Sequence, residues 1–325
     1  LMRVLMFGWE FPPHNSGGLG VACYGLSKSL SQQGIDITFV LPKRVDVNQD
    51  FLRLIFADNS KISVKELDSP LKPYLTSKDY SDSLNLNDIL SGRYGASLFE
   101  EAARYAYLSR RIALEESFDI IHAHDWLSFL AGIEAKKVSH KPLIVHVHST
   151  EFDRAGGAWG NPFVHEVEKA GVEAADKVIA VSNFTKSIVT KNYGIDDSKV
   201  DVLHNGINKE DCASNNDASF PFSTLKKRLK IVLFAGRITL QKGPDYFIYA
   251  ARKVLDYNPN VMFVVAGSGD MQESVIREAA KLDISDKVLF AGFLRGDELM
   301  SIYKAADLFV LPSVSEPFGI TPLES

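Results

Sequence analysis

Residues 231–266 are IVLFAGRITLQKGPDYFIYAARKVLDYNPNVMFVVA. The pattern predicts a strand at Ile231–Ala235, a helix at Gly243–Tyr257 and a second strand at Val261–Ala266. Both predicted strands are apolar at almost every position, which is typical of strands buried on both faces of a parallel sheet. A strand–helix–strand unit of this kind indicates an α/β fold with a doubly wound parallel sheet.

The same alternation extends along the chain in both directions. Further strands are predicted at Arg3–Phe7, Ile37–Leu41, Ile120–Ala123, Leu143–His148, Lys177–Val181, Val200–Leu203, Val288–Ala291 and Leu308–Leu311, with helices between most of them. A polar, mixed stretch at 209–229 is the best linker candidate. We therefore expect two Rossmann-like domains, at 1–208 and 230–325, with a cleft between them. Because the chain stops where a new helix should begin, we expect the second domain to be incomplete through C-terminal truncation.

Charge and composition exclude several classes of protein. The chain has 325 residues, with 36 basic and 41 acidic side chains, and a general nucleic-acid binder normally has a basic excess. The two cysteines, Cys23 and Cys212, are far apart and follow no metal or redox spacing, which predicts reduced thiols in a cytoplasmic protein. No apolar run approaches 18 residues, so we expect no transmembrane segment.

The segment SEPFGITPLE, residues 315–324, follows a predicted buried strand. Glu316 would lie at the carboxyl end of that strand, where α/β sheets bind ligands. The backbone amides of Gly319, Ile320 and Thr321 could hold a phosphate at a helix N-terminus, and Glu324 could bind sugar hydroxyls. The alternative is a structural turn followed by an acidic residue that favours a helix N-terminus.

The loop GRITLQKGP, residues 236–244, is the second candidate. Arg237 can grip a phosphate with two hydrogen bonds, and Lys242 adds a compact charge, so the loop suits a diphosphate. The alternative is a solvated basic loop.

Two glycine-rich turns follow other predicted strands: NSGGLG at 15–20 and GSGD at 267–270, which could hold a phosphate and a nucleotide base. Either turn could instead only pack or turn the chain. Neither is G-x-G-x-x-G, which argues against a nicotinamide-dependent dehydrogenase.

Two histidine pairs lie at the ends of two successive predicted strands: HAHDW at 122–126 and HVH at 146–148. Residues two apart in a strand share a face, so each pair could chelate a metal. The pairs lie within predicted strands and no cysteine joins them. Hydrogen bonding to backbone or to ligand hydroxyls is therefore the favoured interpretation, and no metal is expected.

The order of these motifs resembles the GT-B-fold retaining glycosyltransferases, specifically the group 1 family (family 4) and its glycogen and starch synthase relatives (family 5). The resemblance also rests on WEFPP at 9–13, VSN at 181–183 and HNG at 204–206, and it covers essentially the whole chain. It implies that a hexose, namely glucose, is transferred from a UDP- or ADP-sugar to a glycan or another hydroxyl acceptor. The resemblance also implies that the transfer needs neither a metal ion nor a cofactor. The alternatives are a non-hydrolysing UDP-sugar 2-epimerase-type isomerase, a family 4 transferase with a lipid or small-molecule acceptor, and a non-catalytic sugar-nucleotide-binding module.

The resemblance also implies roles for single residues. Arg237 and Lys242 bind the diphosphate, Glu316 contacts the donor sugar, and Glu324 binds the ribose. The remaining donor-side positions are Gly17, Gly18, Gly267, Gly319, Ile320 and Thr321. His148 matches a histidine that contacts the donor sugar, and Asp125 is placed on the acceptor side.

Overall fold

The computed structural model describes residues 1–13, 17–44, 49–57, 98–207 and 229–325. The chain forms two compact units, Leu1–Thr150 with Asn161–Asn205, and Glu151–Gly160 with Gly206–Ser325. The segment Glu151–Gly160 thus belongs to the second unit, which differs from the predicted uninterrupted domain at 1–208. Apart from Leu229, the predicted linker at 209–229 lies outside the described residues.

The first unit is built on a seven-stranded parallel sheet. Its strands are β1 (Arg3–Phe7), β2 (Asp36–Leu41), β3 (Arg53–Phe56), β4 (Ile120–His124), β5 (Leu143–Val147), β6 (Lys177–Ala180) and β7 (Val200–Val202). They lie in the order β3-β2-β1-β4-β5-β6-β7. The order reverses direction between β1 and β4, and ligands of doubly wound sheets bind beyond the carboxyl ends of strands at such a switch point.

Helices connect these strands, and two of them begin at a side-chain cap. They are α1 (Gly18–Gln32), α2 (Leu98–Glu115), α3 (Trp126–Ser139), α4 (Glu151–Arg154), α5 (Pro162–Ala174) and α6 (Asn183–Asn192), of which α4 belongs to the second unit. The Ser182 hydroxyl accepts the Thr185 N–H at 3.1 Å and so caps the N-terminus of α6. Asn161 caps α5 in the same way, with Pro162 in the first turn.

The second unit carries a four-stranded parallel sheet. Its strands are β8 (Lys230–Ala235), β9 (Val261–Ala266), β10 (Val288–Gly292) and β11 (Leu308–Phe309), in the order β10-β9-β8-β11. Its helices are α7 (Pro244–Leu255), α8 (Gln272–Lys281), α9 (Gly296–Ala305) and α10 (Ile320–Glu324). Here the switch point lies between β8 and β11.

Strand β9 shows why the apolar runs form strands. Val261, Phe263 and Val265 pack into one buried cluster, while Val264 and Ala266 pack into another. Successive side chains point to opposite faces of a sheet, so both faces of β9 are covered. The predicted fold class, α/β with two parallel sheets, is confirmed. In the described part of the chain, every helix is too short or too polar to cross a membrane.

Candidate active site

The loops after β8 and β11 lie at the switch point of the second sheet. Strand β11 pairs with β8 in parallel, with Leu308 opposite Val232. The two loops are joined through their backbones, since the Val314 N–H donates to the Gln241 carbonyl at 2.9 Å. Gly243 has a φ of 61°, and a Cβ there would lie 2.3 Å from the Pro312 carbonyl oxygen. Only glycine allows this approach, which fixes the two loops against each other.

Lys242 and Glu316 face each other across these loops. The Lys242 ammonium donates to both carboxylate oxygens of Glu316, at 2.8 and 2.7 Å. The Ser313 hydroxyl donates to Glu316 Oε2 at 2.8 Å. Burial lowers the pKa of Lys242, and the charge of Glu316 partly offsets that shift. The pair places a cation and a carboxylate, both largely shielded from water, where the topology expects a ligand.

Arg237 occupies the first turn of the same loop. Its guanidinium donates to the Gln241 side-chain oxygen at 3.3 Å. The loop after β9 supports this turn, because the Ile238 N–H donates to the Ser268 carbonyl at 2.9 Å. Gly267 has a φ of 147°, and a Cβ there would lie 1.8 Å from the Gly236 carbonyl oxygen. The predicted residue Gly267 therefore lies directly against the Arg237 turn.

Asp153, which the sequence analysis missed, reaches the same loops from α4. The Ser315 hydroxyl donates to Asp153 Oδ1 at 2.6 Å, and both residues are buried. The carboxylate of Asp153 also raises the pKa of Lys242. The one local signal that could have indicated Asp153 was an acidic residue shortly after a buried strand. Its partner Ser315 lies 162 positions further along the chain.

The end of the chain follows the predicted turn and short helix. Gly319, with a φ of 85°, precedes α10, so Ile320 and Thr321 occupy its first turn. The Tyr303 hydroxyl donates to Glu324 Oε2 at 3.2 Å. Burial raises the pKa of Glu324, and the hydrogen bond from Tyr303 opposes that shift. Glu316 and Glu324 thus have different partners, one a cation and the other a phenol.

In the first unit, the glycine turn ends at α1. Gly17 is the N-cap position and Gly18 the first helical residue, while residues 14–16 of the predicted turn lie outside the described residues. The Gly20 N–H donates to the carboxylate of Glu10 at 2.9 Å, and Glu10 is buried. Glu10 therefore fixes the first turn of α1 behind the two predicted glycines.

Asp125 lies immediately after β4 with a backbone that few residues adopt. Its φ is 57° and its ψ 169°, a region almost restricted to glycine, and such strain is found mainly at functional sites. Its buried carboxylate accepts the N–H groups of His148 at 2.7 Å and Ser149 at 3.3 Å. The geometry of Asp125 therefore fixes the backbone that carries His148.

His148 joins a buried layer of four histidines. Its Nε2 lies 3.0 Å from Nδ1 of His124. Burial lowers the pKa of His148 to about 3 and that of His122 to about 4. Burial also lowers the pKa values of His124 and His146 well below the usual range. All four rings are neutral near pH 7, so His148 offers a ligand hydrogen bonds rather than a positive charge.

Two family models together match nearly the whole chain. The model for "Glycosyltransferase Family 4" matches residues 16–211. The model for "Glycosyl transferases group 1" matches residues 215–325, the part that contains Arg237, Lys242 and Glu316.

Related proteins of known sequence align with all of the chain. An uncharacterized glycosyltransferase from Methanocaldococcus jannaschii is 31% identical over 338 residues, covering 100% of this chain and 78% of the relative. A glycogen synthase from Mycobacterium tuberculosis is 28% identical over 331 residues, covering 100% of this chain and 75% of the relative.

Solved structures share the fold. The sucrose-phosphate synthase from Thermosynechococcus elongatus has a TM-score of 0.73 at 19% identity, covering 100% of this chain and 78% of that one. Anabaena HepE with UDP and glucose has a TM-score of 0.66 at 16% identity, covering 100% and 78%. The catalytic domain of starch synthase IV from Arabidopsis thaliana, bound to ADP and acarbose, has a TM-score of 0.65 at 18% identity, covering 100% and 80%. These likenesses confirm the expected GT-B fold.

Proposed function

This chain belongs to glycosyltransferase family 4 and carries a group 1 glycosyltransferase domain, and from that premise we propose that it transfers glucose from a UDP- or ADP-sugar to a hydroxyl of a glycan or another acceptor. In this proposal the transfer keeps the anomeric configuration and needs no metal ion. The observation that carries it is the shielded Lys242–Glu316 pair beside Arg237 at the switch point of the second sheet. Structural neighbours with UDP or ADP bound, and a glycogen synthase among the relatives, support the choice of donor.

The leaving group of this reaction is a nucleoside diphosphate. As the bond from the sugar to the diphosphate breaks, negative charge grows on the phosphate oxygens. Arg237 can meet that charge with a planar fork of donors, and Lys242 with a point charge. Cations fixed in place before the reaction stabilise a developing anion without reorganising, and here they take the place of a metal ion.

Other residues of the second unit are assigned to the rest of the donor. Glu316 accepts hydrogen bonds from the sugar hydroxyls, and Ser313 holds one of its oxygens in place. Glu324 binds the ribose. The amides of Gly319, Ile320 and Thr321 are assigned to the sugar and phosphate, and the turn at Gly267 is assigned to the base.

Residues of the first unit are assigned to the phosphate, the sugar and the acceptor. Gly17 and Gly18 offer backbone amides to the phosphate, and the neutral ring of His148 bonds the donor sugar. Asp125 is assigned to the acceptor side, and its hydrogen bonds to the backbone give it a positioning role for His148 as well. The acceptor hydroxyl attacks the face that the nucleotide leaves, which keeps the configuration.

Calorimetric titration with UDP, ADP and GDP tests the donor site. We expect one nucleotide to bind the wild type, and binding to weaken at least tenfold in an Arg237→Ala/Lys242→Ala variant. A matched control, Arg277→Ala/Lys281→Ala, removes the same charge from the surface of the second unit, where these side chains are 68% and 71% exposed. Equal loss in both variants would show a non-specific charge effect and contradict the assignment.

The reaction itself is tested with the nucleoside diphosphate glucose, UDP-, ADP- or GDP-glucose, whose nucleotide binds in the titration. The acceptors are a mixture of glucan and simple hydroxyl compounds. Nuclear magnetic resonance of the product should show the anomeric configuration of the donor, and product formation should need no added metal ion. An inverted product would contradict retention. Formation of a 2-epimer from the donor alone, with no transfer, would support the isomerase instead.

A further inference from the structure

Three histidines of the buried layer that contains His148 form a compact triangle within the first sheet. His122 and His124 lie two apart on β4, and His146 on β5 lies opposite His124. The ring centroids are 4.2 Å apart for His122 and His124, 5.2 Å for His124 and His146, and 5.5 Å for His122 and His146. Each of the three residues is at most 6% exposed.

Several ring nitrogens of this triangle have no hydrogen-bond partner among the described residues. They are Nε2 of His122, Nε2 of His124 and both nitrogens of His146. A buried polar atom left without a partner is unfavourable, and native proteins leave few of them. Four in one place indicate that a further group belongs there.

We propose that His122, His124 and His146 bind a transition-metal dication, Zn²⁺ in the first instance. One nitrogen from each residue lies within 4.8 Å of the nitrogens of the other two. With Zn–N bonds of about 2.0–2.1 Å, two imidazoles on one tetrahedral Zn²⁺ have ring centroids about 5 Å apart, close to two of the three separations found. A set of imidazoles suits Zn²⁺, Cu²⁺ or Ni²⁺ and not Mg²⁺ or Ca²⁺.

The hydrogen bond to His148 decides which atom of His124 is the ligand. Nδ1 of His124 already lies 3.0 Å from Nε2 of His148, so the metal takes Nε2. The proton of His124 then resides on Nδ1 and is donated to Nε2 of His148, which leaves the proton of His148 on its own Nδ1. Metal-bound histidines commonly use their second nitrogen in this way. The metal thus holds His148 in one tautomer and one orientation, and it has no part in binding the diphosphate.

In a second set, Cys23 with His124 and His148, one possible ligand atom from each residue also lies within 4.8 Å of the other two. It would consume His148 and leave His122 and His146 with their orphaned nitrogens. We therefore favour the set of three histidines.

Metal analysis of the untagged full chain, dialysed after incubation with Zn²⁺, tests the site directly. We expect about one zinc per chain, and the visible d–d bands of tetrahedral Co²⁺ when cobalt replaces zinc. A His122→Leu/His146→Leu variant should lose at least nine-tenths of the bound metal. A His140→Asn variant, which removes an exposed histidine of the same unit, should keep it.

Three results would overturn the proposal. The first is a wild type that takes up no metal and shows no cobalt bands, a result that depends on no variant. The second is retention of the metal by the His122→Leu/His146→Leu variant together with its loss in Cys23→Ser. The third is a melting temperature of the wild type that neither Zn²⁺ nor a chelator shifts, combined with a higher melting temperature in the leucine variant. That last result would identify the histidines as polar groups with no ligand.

Discussion

At the scale of single residues, Lys242 remains a cation because of what faces it. Burial alone lowers the pKa of its ammonium, and the Glu316 carboxylate 2.7 Å away raises it again. The pairing keeps a positive charge available in a place with little water. A phosphate that binds Lys242, as proposed, must compete with Glu316 for that charge.

The pairing predicts how nucleotide binding depends on pH. In Glu316→Gln the opposing charge is lost, so the pKa of Lys242 falls further and the ammonium loses its proton at lower pH. We expect nucleotide affinity to decline on the alkaline side at a lower pH than in the wild type, measured as the Kd from about pH 7 to 10. Ser313→Ala removes a hydrogen bond to Glu316 but keeps the charge of Glu316. The pH at which affinity declines should therefore stay as in the wild type. Superimposable profiles for Glu316→Gln and the wild type would contradict the coupling.

Asp125 predicts a second effect at this scale. Asp125→Ala leaves the buried N–H groups of His148 and Ser149 without their acceptor, which should lower the free energy of unfolding by about 1–3 kcal/mol. Asp125→Asn keeps an acceptor oxygen and should lose less. Denaturant unfolding of the two variants, with transfer rates measured alongside, checks the order. Equal losses would show that the hydrogen bonds to the His148 turn contribute little.

At the scale of elements, apolar runs made most boundaries predictable. The predicted helix at Gly243–Tyr257 occurs at Pro244–Leu255, and the predicted strand at Leu143–His148 occurs at Leu143–Val147. Strand β3 was missed because its apolar run, which begins at Leu54, is short, follows the exposed Arg53 and is only half-buried. The four-residue helix α4 is too short for a periodic pattern. The sequence pattern also predicts a short strand at Ile62–Glu66, which lies outside the described residues.

The contact between two strand-end loops gives a prediction at this scale. An alanine Cβ at Gly267 would meet the Gly236 carbonyl oxygen at 1.8 Å, a backbone atom that can move only with the Arg237 turn. We expect Gly267→Ala to weaken nucleotide binding and to lower the stability by at least about 1–3 kcal/mol. Gly296→Ala also has a positive φ but nothing within 4 Å, so it should lower stability without changing the Kd. An unchanged Kd in Gly267→Ala would separate this loop from the donor site.

At the scale of the whole molecule, local motifs identified the charged residues of the second unit but not all that surrounds them. Arg237, Lys242 and Glu316 follow predicted strands, and the topology brings the ends of those strands together. Asp153 could not be found in this way, because it belongs to none of the motifs and its partner Ser315 is 162 residues away. Its assignment to the second unit depends on tertiary packing that no periodicity records.

The long-range contact predicts a measurable coupling. Asp153→Ala and Ser315→Ala each remove one side of a buried hydrogen bond to a charged group, which contributes about 1.5–3 kcal/mol. In a double-mutant cycle of unfolding free energies, the two losses should fall short of additivity by that amount. Asp153→Ala should in addition lower the pKa of Lys242, since the Asp153 carboxylate raises it. Strict additivity would show that the contact contributes nothing to stability.

The placement of Glu151–Gly160 in the second unit has a consequence for biosynthesis. The chain passes between the two units at three points, after Thr150, after Gly160 and after Asn205. A ribosome that adds about 5–20 residues per second completes Ser315 some 8–32 s after Asp153, the 162 residues between them divided by that rate. All seven strands of the first sheet have been synthesised once the chain reaches Val202, which is before Ser315 has been added. A nascent chain stalled between residues 205 and 315 would therefore hold a complete set of strands for the first sheet before the hydrogen bond from Ser315 to Asp153 can form.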